Sequence, residues 1–202
     1  MAHDVTKKEN RSVSLALTGS GGAGVITAGE LLLSAAAGQG YYGLMTRSAG
    51  PQIRGGEAAA LLTLSVDPVA IHNDEYDLLI GVDWQNVDRF AAEIPMSQDG
   101  MVIGDPEGGE APAFAVETGA GSAEVALQAL AKDIPKGRAN MIALGIAARL
   151  LGLEIEGFSE GIAAKLAEKG PEVIEAQQAR GNAERDHVRP ALRNVLGQGL
   201  QR

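Results

Sequence analysis

Six small residues at positions 19–24, Gly-Ser-Gly-Gly-Ala-Gly, join an apolar run that suits a β-strand (13–17) to an apolar run that suits a helix (25–37). Gly19, Gly21 and Gly24 allow a tight turn and let a ligand approach the backbone closely. The helix that follows begins with unpaired N–H groups and with the positive end of its dipole. This pattern predicts an α/β fold whose first strand-to-helix turn is a candidate anion site, with Gly19, Ser20, Gly21, Gly22, Ala23 and Gly24 as its residues.

The residues around this glycine loop narrow the choice of ligand. A nucleoside-triphosphate loop needs Lys and then Ser or Thr after its last glycine, and Val25 and Ile26 stand there instead. A dinucleotide site expects an acidic residue about twenty positions further on to hold the ribose hydroxyls. Thr46 and Arg47 occupy that region, and arginine suits a phosphorylated ribose. A phosphorylated dinucleotide and another 2′- or 3′-phosphorylated adenosine ligand both remain open.

A second stretch, residues 46–56, contains two arginines among small residues. It follows a predicted strand that begins near residue 40, and it is predicted to be a loop. Arg47 and Arg54 supply positive charge there, and Ser48 is a further hydrogen-bond donor. A solvated turn punctuated by Pro51 is the alternative interpretation.

Together the two stretches resemble the gamma domain of the 2-oxoacid:ferredoxin oxidoreductases. The resemblance is carried by Gly-x-Gly-Gly-x-Gly-Val-x-Thr-Ala at 19–28 and by Ser-x-Gly-Pro-x-x-Arg-Gly-Gly at 48–56. Residues 77–83 are similar to the central strand of that family and residues 140–145 to its late helix. Ala23 departs from the pattern, since the family commonly has Gln there, but a cradle of backbone N–H groups does not need that side chain. Residues 15–60 look most like the 2-oxoglutarate type. In the family that the chain resembles, the gamma module occurs either as a free small subunit or fused ahead of the alpha module.

The resemblance implies a three-layer α/β/α domain with a mostly parallel sheet and a helical C-terminal part. It implies oxidative decarboxylation of a 2-oxoacid, with 2-oxoglutarate as the expected substrate, on thiamine diphosphate. Electrons would pass through iron–sulfur clusters to ferredoxin, and an acyl-coenzyme A would be released. This chain would bind coenzyme A with the glycine loop, Arg47, Ser48 and Arg54, and would carry no catalytic residue. Alpha and beta subunits are the expected partners, and they would hold the thiamine diphosphate, the magnesium and the iron–sulfur clusters.

Composition agrees with a supporting role. The 202 residues contain no cysteine, so no cysteine-ligated iron–sulfur cluster can sit on this chain. A net charge of −9 argues against nucleic-acid and anionic-membrane partners. The apolar N-terminal run is interrupted at residues 18–24, which is atypical of a signal peptide or a spanning helix, so the cytoplasm is the expected location.

The chain is predicted to comprise a flexible arm (1–11), one gamma-type α/β domain (12–182) and a helical tail or linker (183–202). Two other functions stay open: a non-catalytic assembly platform with Arg54 in an interface salt bridge, and an independent NADP-dependent dehydrogenase that rests on Arg47. The acidic segment around His72 is predicted to be a solvated turn. Beyond the elements already named, the pattern predicts strands at 58–66, 78–82, 101–103 and 114–117 and helices at 84–92, 123–131, 139–151, 161–168 and 172–185.

Overall fold

The computed structural model describes residues 11–50, 56–135 and 137–154. This part of the chain forms six strands and four α-helices. In chain order they are β1 (Ser12–Ser20), α1 (Val25–Gly38), β2 (Tyr42–Ala49), β3 (Glu57–Ser65), β4 (Tyr76–Gly81), β5 (Met96–Gly104), α2 (Ala113–Val116), β6 (Gly121–Glu124), α3 (Leu127–Lys132) and α4 (Ala139–Leu150).

The six strands form one sheet in the order β2-β3-β1-β4-β5-β6. The pairs β1/β4, β4/β5 and β5/β6 are parallel, while β3 is antiparallel to both of its neighbours, β1 and β2. Five strands therefore run in one direction and only β3 runs against them. The predicted α/β class with a mostly parallel sheet is confirmed.

Helices cover one face of the sheet more fully than the other. On the first face α1, α3 and α4 pack over Leu17, Leu62 and Ile80. The second face is covered by α2 and by a short 3-10 helix at Val87–Phe90. The architecture has helices on both faces, as expected, but its second helical layer is thin.

Trp84 fixes part of that thin layer. A Cβ atom added at Gly81 would lie 2.3 Å from the indole ring, and one added at Gly104 would lie 2.7 Å from it. The ring thus packs directly on the ends of β4 and β5, where only glycine leaves room for it. Trp84 is therefore a packing residue of the second face of the sheet.

Three predicted elements are wrong. The helix expected at 84–92 is reduced to the 3-10 helix, because Asn86 adopts a left-handed conformation (φ 54°) that interrupts an α-helix. The strand expected at 114–117 is instead α2, since a short apolar run does not distinguish the two structures. The helix expected at 123–131 is replaced by β6 and α3, because β5 provides a parallel partner for residues 121–124.

The predicted helices at 161–168 and 172–185 lie outside the described residues. So do the boundary at residue 182, the tail and most of the N-terminal arm. Within the described ranges, no helix is long and apolar enough to cross a membrane.

His72 joins the segment before β4 to the sheet. Its Nδ1 lies 3.0 Å from Thr63 Oγ1 and its Nε2 lies 2.8 Å from Thr46 Oγ1. Thr63 Oγ1 is also 2.9 Å from Ser14 Oγ, so one chain of polar contacts connects β1, β3 and β2. The segment around His72 was predicted to be a solvated turn, but His72 itself is anchored to the sheet by these contacts. Burial lowers the pKa of its imidazole.

This lowered pKa gives the stability of the protein a testable pH dependence. Unfolded His72 binds a proton more readily than folded His72, so the free energy of unfolding should fall as the pH drops below about 6.5, the ordinary histidine value. We expect a His72→Ala variant to lose this component. Urea unfolding of both proteins from pH 7.5 to 5 measures it, and parallel stability curves would contradict the prediction.

Helix α1 approaches the sheet most closely at Gly29. A Cβ there would lie 2.7 Å from Ala60 Cβ and 3.0 Å from Met45 Cε, whereas a Cβ at Gly38 in the same helix would meet nothing within 4 Å. We expect Gly29→Ala to lower the free energy of unfolding by about 1–3 kcal/mol through overpacking. Gly38→Ala, the matched control, should be neutral or stabilising by up to about 1 kcal/mol. Equal effects in chemical unfolding would show that α1 does not depend on this contact.

Candidate anion-binding site

The glycine loop begins inside the sheet and ends at a helix. Gly19 and Ser20 are the last residues of β1, and Ala23 N–H then donates to Ser20 O at 2.9 Å to close a turn. Gly22 in this turn has φ 99°, and Gly24, directly before α1, has φ 81°. A residue with a Cβ atom is strained at such a positive φ, so both positions require glycine.

The N-terminus of α1 is electrostatically open to an anion. Its first intrahelical bond runs from Ala28 N–H to Gly24 O at 3.0 Å, so the amides of residues 25–27 precede the helical ladder. No side chain caps this end and the first turn contains no acidic residue. The amides without an intrahelical partner and the helix dipole together favour a negatively charged group here.

Asp83 holds the start of the loop and was missed by the sequence analysis. Its carboxylate accepts hydrogen bonds from Ser20 N–H at 2.9 Å and Ser20 Oγ at 2.8 Å, and also from Gln85 N–H at 3.2 Å. Because the amides of Ser20 and Ala23 are engaged within the protein, a bound anion must use the other amides of the loop and of the first turn of α1. The signal for Asp83 in the sequence is an acidic residue shortly after an apolar run, which forms β4, the parallel neighbour of β1.

Asn140, near the start of α4, covers the end of the loop. Its Nδ2 donates to Gly24 O at 2.9 Å, and the residue is only 4% exposed. Its Oδ1 is buried and has no hydrogen-bond partner among the described residues. A Cβ at Gly24 would lie 2.6 Å from Nδ2, so this contact also requires glycine. The sequence pattern predicts a late helix for Asn140 and indicates no role for its side chain.

The structure places Arg47 and Ser48 away from the loop. Both lie on β2, which continues to Ala49, so the loop predicted from residue 46 is wrong for residues 46–49. Successive residues of a strand point to opposite faces, so these two side chains do not converge on one phosphate group. Strand β3 separates β2 from β1, and Arg47 forms an ion pair with Glu30 of α1. Arg54 lies outside the described residues.

Arg47 and Glu30 instead line an open cleft of about 380 Å³ between α1 and β2. Its other lining residues are Leu33, Ser34, Ala37 and Met45. The cleft is on the face covered by α1 and lies at the edge of the sheet.

Two carboxylates, those of Glu57 and Asp83, lie near Ser20 at the β1 end of the loop. Glu57 stands opposite Ser20 in the β1/β3 register, is 6% exposed, and pairs with Arg89 at 3.2 Å. Asp83 also contacts Ser20. The β1 end of the loop is therefore acidic, and the positive potential belongs to its α1 end.

The contact of Gly24 with Asn140 gives a matched test of the loop. Gly22→Ala and Gly24→Ala should each lose about 1–2 kcal/mol, because both positions have positive φ. Gly24→Ala should lose about 1 kcal/mol more, since its new methyl group displaces the Asn140 amide from its hydrogen bond. Equal losses in urea unfolding would mean that the Asn140 contact does not stabilise the fold.

Comparisons with known proteins find relatives of this chain and structures that share its fold. A 28% identical relative, ketoisovalerate oxidoreductase subunit VorA of Methanothermobacter marburgensis, aligns over 162 residues, which is 78% of this chain and 33% of that protein. This chain thus spans about a third of the length of that relative.

Among solved structures, 2-oxoglutarate:ferredoxin oxidoreductase from Magnetococcus marinus, with 2-oxoglutarate, coenzyme A and succinyl-CoA bound, matches with a TM-score of 0.71 and 22% identity, over 87% of this chain and 31% of that one. The gamma subunit of a keto/oxoacid ferredoxin oxidoreductase from Geobacter sulfurreducens matches with a TM-score of 0.61 and 22% identity, over 84% of this chain and 94% of that one. Pyruvate oxidoreductase subunit PORC from Thermotoga maritima matches with a TM-score of 0.63 and 20% identity, over 85% of this chain and 95% of that one. These similarities show a shared fold. The model of the pyruvate ferredoxin/flavodoxin oxidoreductase family matches residues 14–178, and the chain belongs to that family.

Proposed function

We propose that this chain is the gamma module of a 2-oxoacid:ferredoxin oxidoreductase and that it binds and positions coenzyme A. The observation that carries the proposal is the glycine loop at the uncapped N-terminus of α1. Coenzyme A bears a pyrophosphate and a 3′-phosphate, and amides at a helix N-terminus are suited to hold such groups. The similar enzyme from Magnetococcus marinus was solved with coenzyme A bound, which supports the choice of ligand.

In this proposal the chain contributes binding and orientation rather than chemistry. Gly21, Gly22 and the first turn of α1 would hold phosphate through backbone N–H groups. Arg47 and Arg54 would add charge-assisted contacts, with Ser48 as a lesser donor. Holding the thiol of coenzyme A near an acyl intermediate on another subunit converts an encounter between molecules into a positioned reaction.

The remaining activity belongs to partners. A chain without cysteine leaves cysteine-ligated iron–sulfur clusters to alpha and beta subunits or modules, together with thiamine diphosphate and magnesium. Those partners would decarboxylate the 2-oxoacid and pass electrons to ferredoxin, and coenzyme A would receive the acyl group. We propose 2-oxoglutarate as the substrate and the cytoplasm as the location.

An assembly platform is the second candidate. It is favoured by one observation: Arg47 is paired with Glu30 on an exposed edge strand, an arrangement that also suits a subunit contact. The third function, an independent NADP-dependent dehydrogenase, gains no support. It needs Arg47 on a strand beside the glycine loop, and β3 lies between them.

Arginine variants separate the first two candidates. We expect Arg47→Ala and Arg54→Ala each to weaken coenzyme A binding about 10-fold, as the loss of one charge-assisted contact predicts. Isothermal titration of coenzyme A into the chain, and into its complex with co-expressed alpha and beta subunits, measures this. Arg11→Ala is the matched control, since Arg11 is also an exposed, ion-paired arginine but precedes the opposite end of β1.

Size-exclusion chromatography of the same variants completes the test. Weakened coenzyme A binding in an intact complex supports the binding role. Dissociation of the complex by Arg54→Ala, with unchanged affinity for coenzyme A, would transfer the assignment to the assembly platform.

A further inference from the structure

Two helix N-termini meet at the glycine loop. Gly24 precedes α1, and Asn140 lies in the first turn of α4, 116 positions later in the chain. The hydrogen bond from Asn140 Nδ2 to Gly24 O therefore brings the positive end of the α4 dipole beside that of α1. Neither helix has a side-chain cap or an acidic residue in its first turn.

Arg138 adds a full positive charge at the N-terminus of α4. It is the N-cap residue of α4, with an extended backbone (φ −137°, ψ 138°) and an exposed side chain. It forms no ion pair with any residue that the structure describes. A cation at a helix N-terminus is repelled by the dipole, so the folded chain alone gains nothing from arginine at this position.

The buried amide of Asn140 is an independent sign of an incomplete site. Its Oδ1 is shielded from solvent and lacks a donor within the described ranges, although Nδ2 of the same group is bonded. Buried polar atoms in native proteins almost always have a partner.

We propose that Arg138 and the first turn of α4 form a second anion subsite beside the glycine loop, and that Arg138 contacts a phosphate group of coenzyme A. The inference rests on the proposed coenzyme A role and adds a residue to it. Amides of the loop and of α1 take one phosphate group, and the guanidinium of Arg138 takes another. The ligand also cancels the repulsion between Arg138 and the α4 dipole.

Helix α4 provides its own control. Arg149 is an exposed arginine in the last turn of the same helix, at the end where a cation is favourable. Arg138→Ala and Arg149→Ala remove the same charge from opposite ends of α4. Arg138→Lys keeps the charge and loses the planar fork of donors.

The test uses isothermal titration of coenzyme A and of dephospho-coenzyme A into the full chain in complex with its co-expressed alpha and beta subunits. We expect Arg138→Ala to weaken coenzyme A binding about 10-fold, Arg138→Lys to restore part of the affinity, and Arg149→Ala to leave it unchanged. Without ligand, the melting temperature of the Arg138→Ala chain should be equal to or higher than that of the unsubstituted chain, which a merely structural role would not produce.

Dephospho-coenzyme A, which lacks the 3′-phosphate, identifies the phosphate group that Arg138 contacts. A loss with coenzyme A alone assigns Arg138 to the 3′-phosphate, and a loss with both ligands assigns it to the pyrophosphate. Equal affinities of the Arg138→Ala and Arg149→Ala complexes would overturn the proposal while leaving the coenzyme A role intact. An unsubstituted complex that binds no coenzyme A would overturn both.

Discussion

The hydrogen bond between Asn140 and Gly24 is the interaction on which the candidate site depends. It joins the first strand-to-helix turn to the start of α4, and so adds a polar contact to the apolar packing of α1 against α4. The bond is possible because Gly24 has no Cβ atom and adopts a positive φ. Together with the carboxylate of Asp83, which holds Ser20, it fixes both ends of the loop and leaves the turn between them exposed.

The antiparallel strand β3 decides which charges surround this loop. By lying between β1 and β2, it moves Arg47 about two strand spacings, roughly 10 Å, from the strand that carries the loop. It also brings Glu57 opposite Ser20. The positive potential at the loop then comes from the helix dipoles, rather than from the arginine that the spacing of the sequence favoured.

Much of the fold could be predicted from the sequence, because its strongest signals are local. Strand β1, helix α1 and helix α4 have long apolar patterns bounded by glycine or polar residues, and each was predicted within a few residues. Apart from residues 46–49, which continue β2 where a loop was predicted, the errors fall between residues 84 and 131, where the elements are short. There, hydrogen bonding to β5 and the left-handed Asn86 determine the structure, and neither leaves a periodic pattern in the chain.

The sequence by itself determined the glycine loop, the α/β class and the absence of cysteine, since turn chemistry, apolar periodicity and composition are properties of the chain. The tertiary structure is needed to show that Asp83 and Asn140 lie at the loop and that Arg47 pairs with Glu30. These contacts join residues 17 to 116 positions apart, and strand order and helix packing select them. A local pattern specifies which backbone can turn, whereas the packed sheet specifies which side chains meet there.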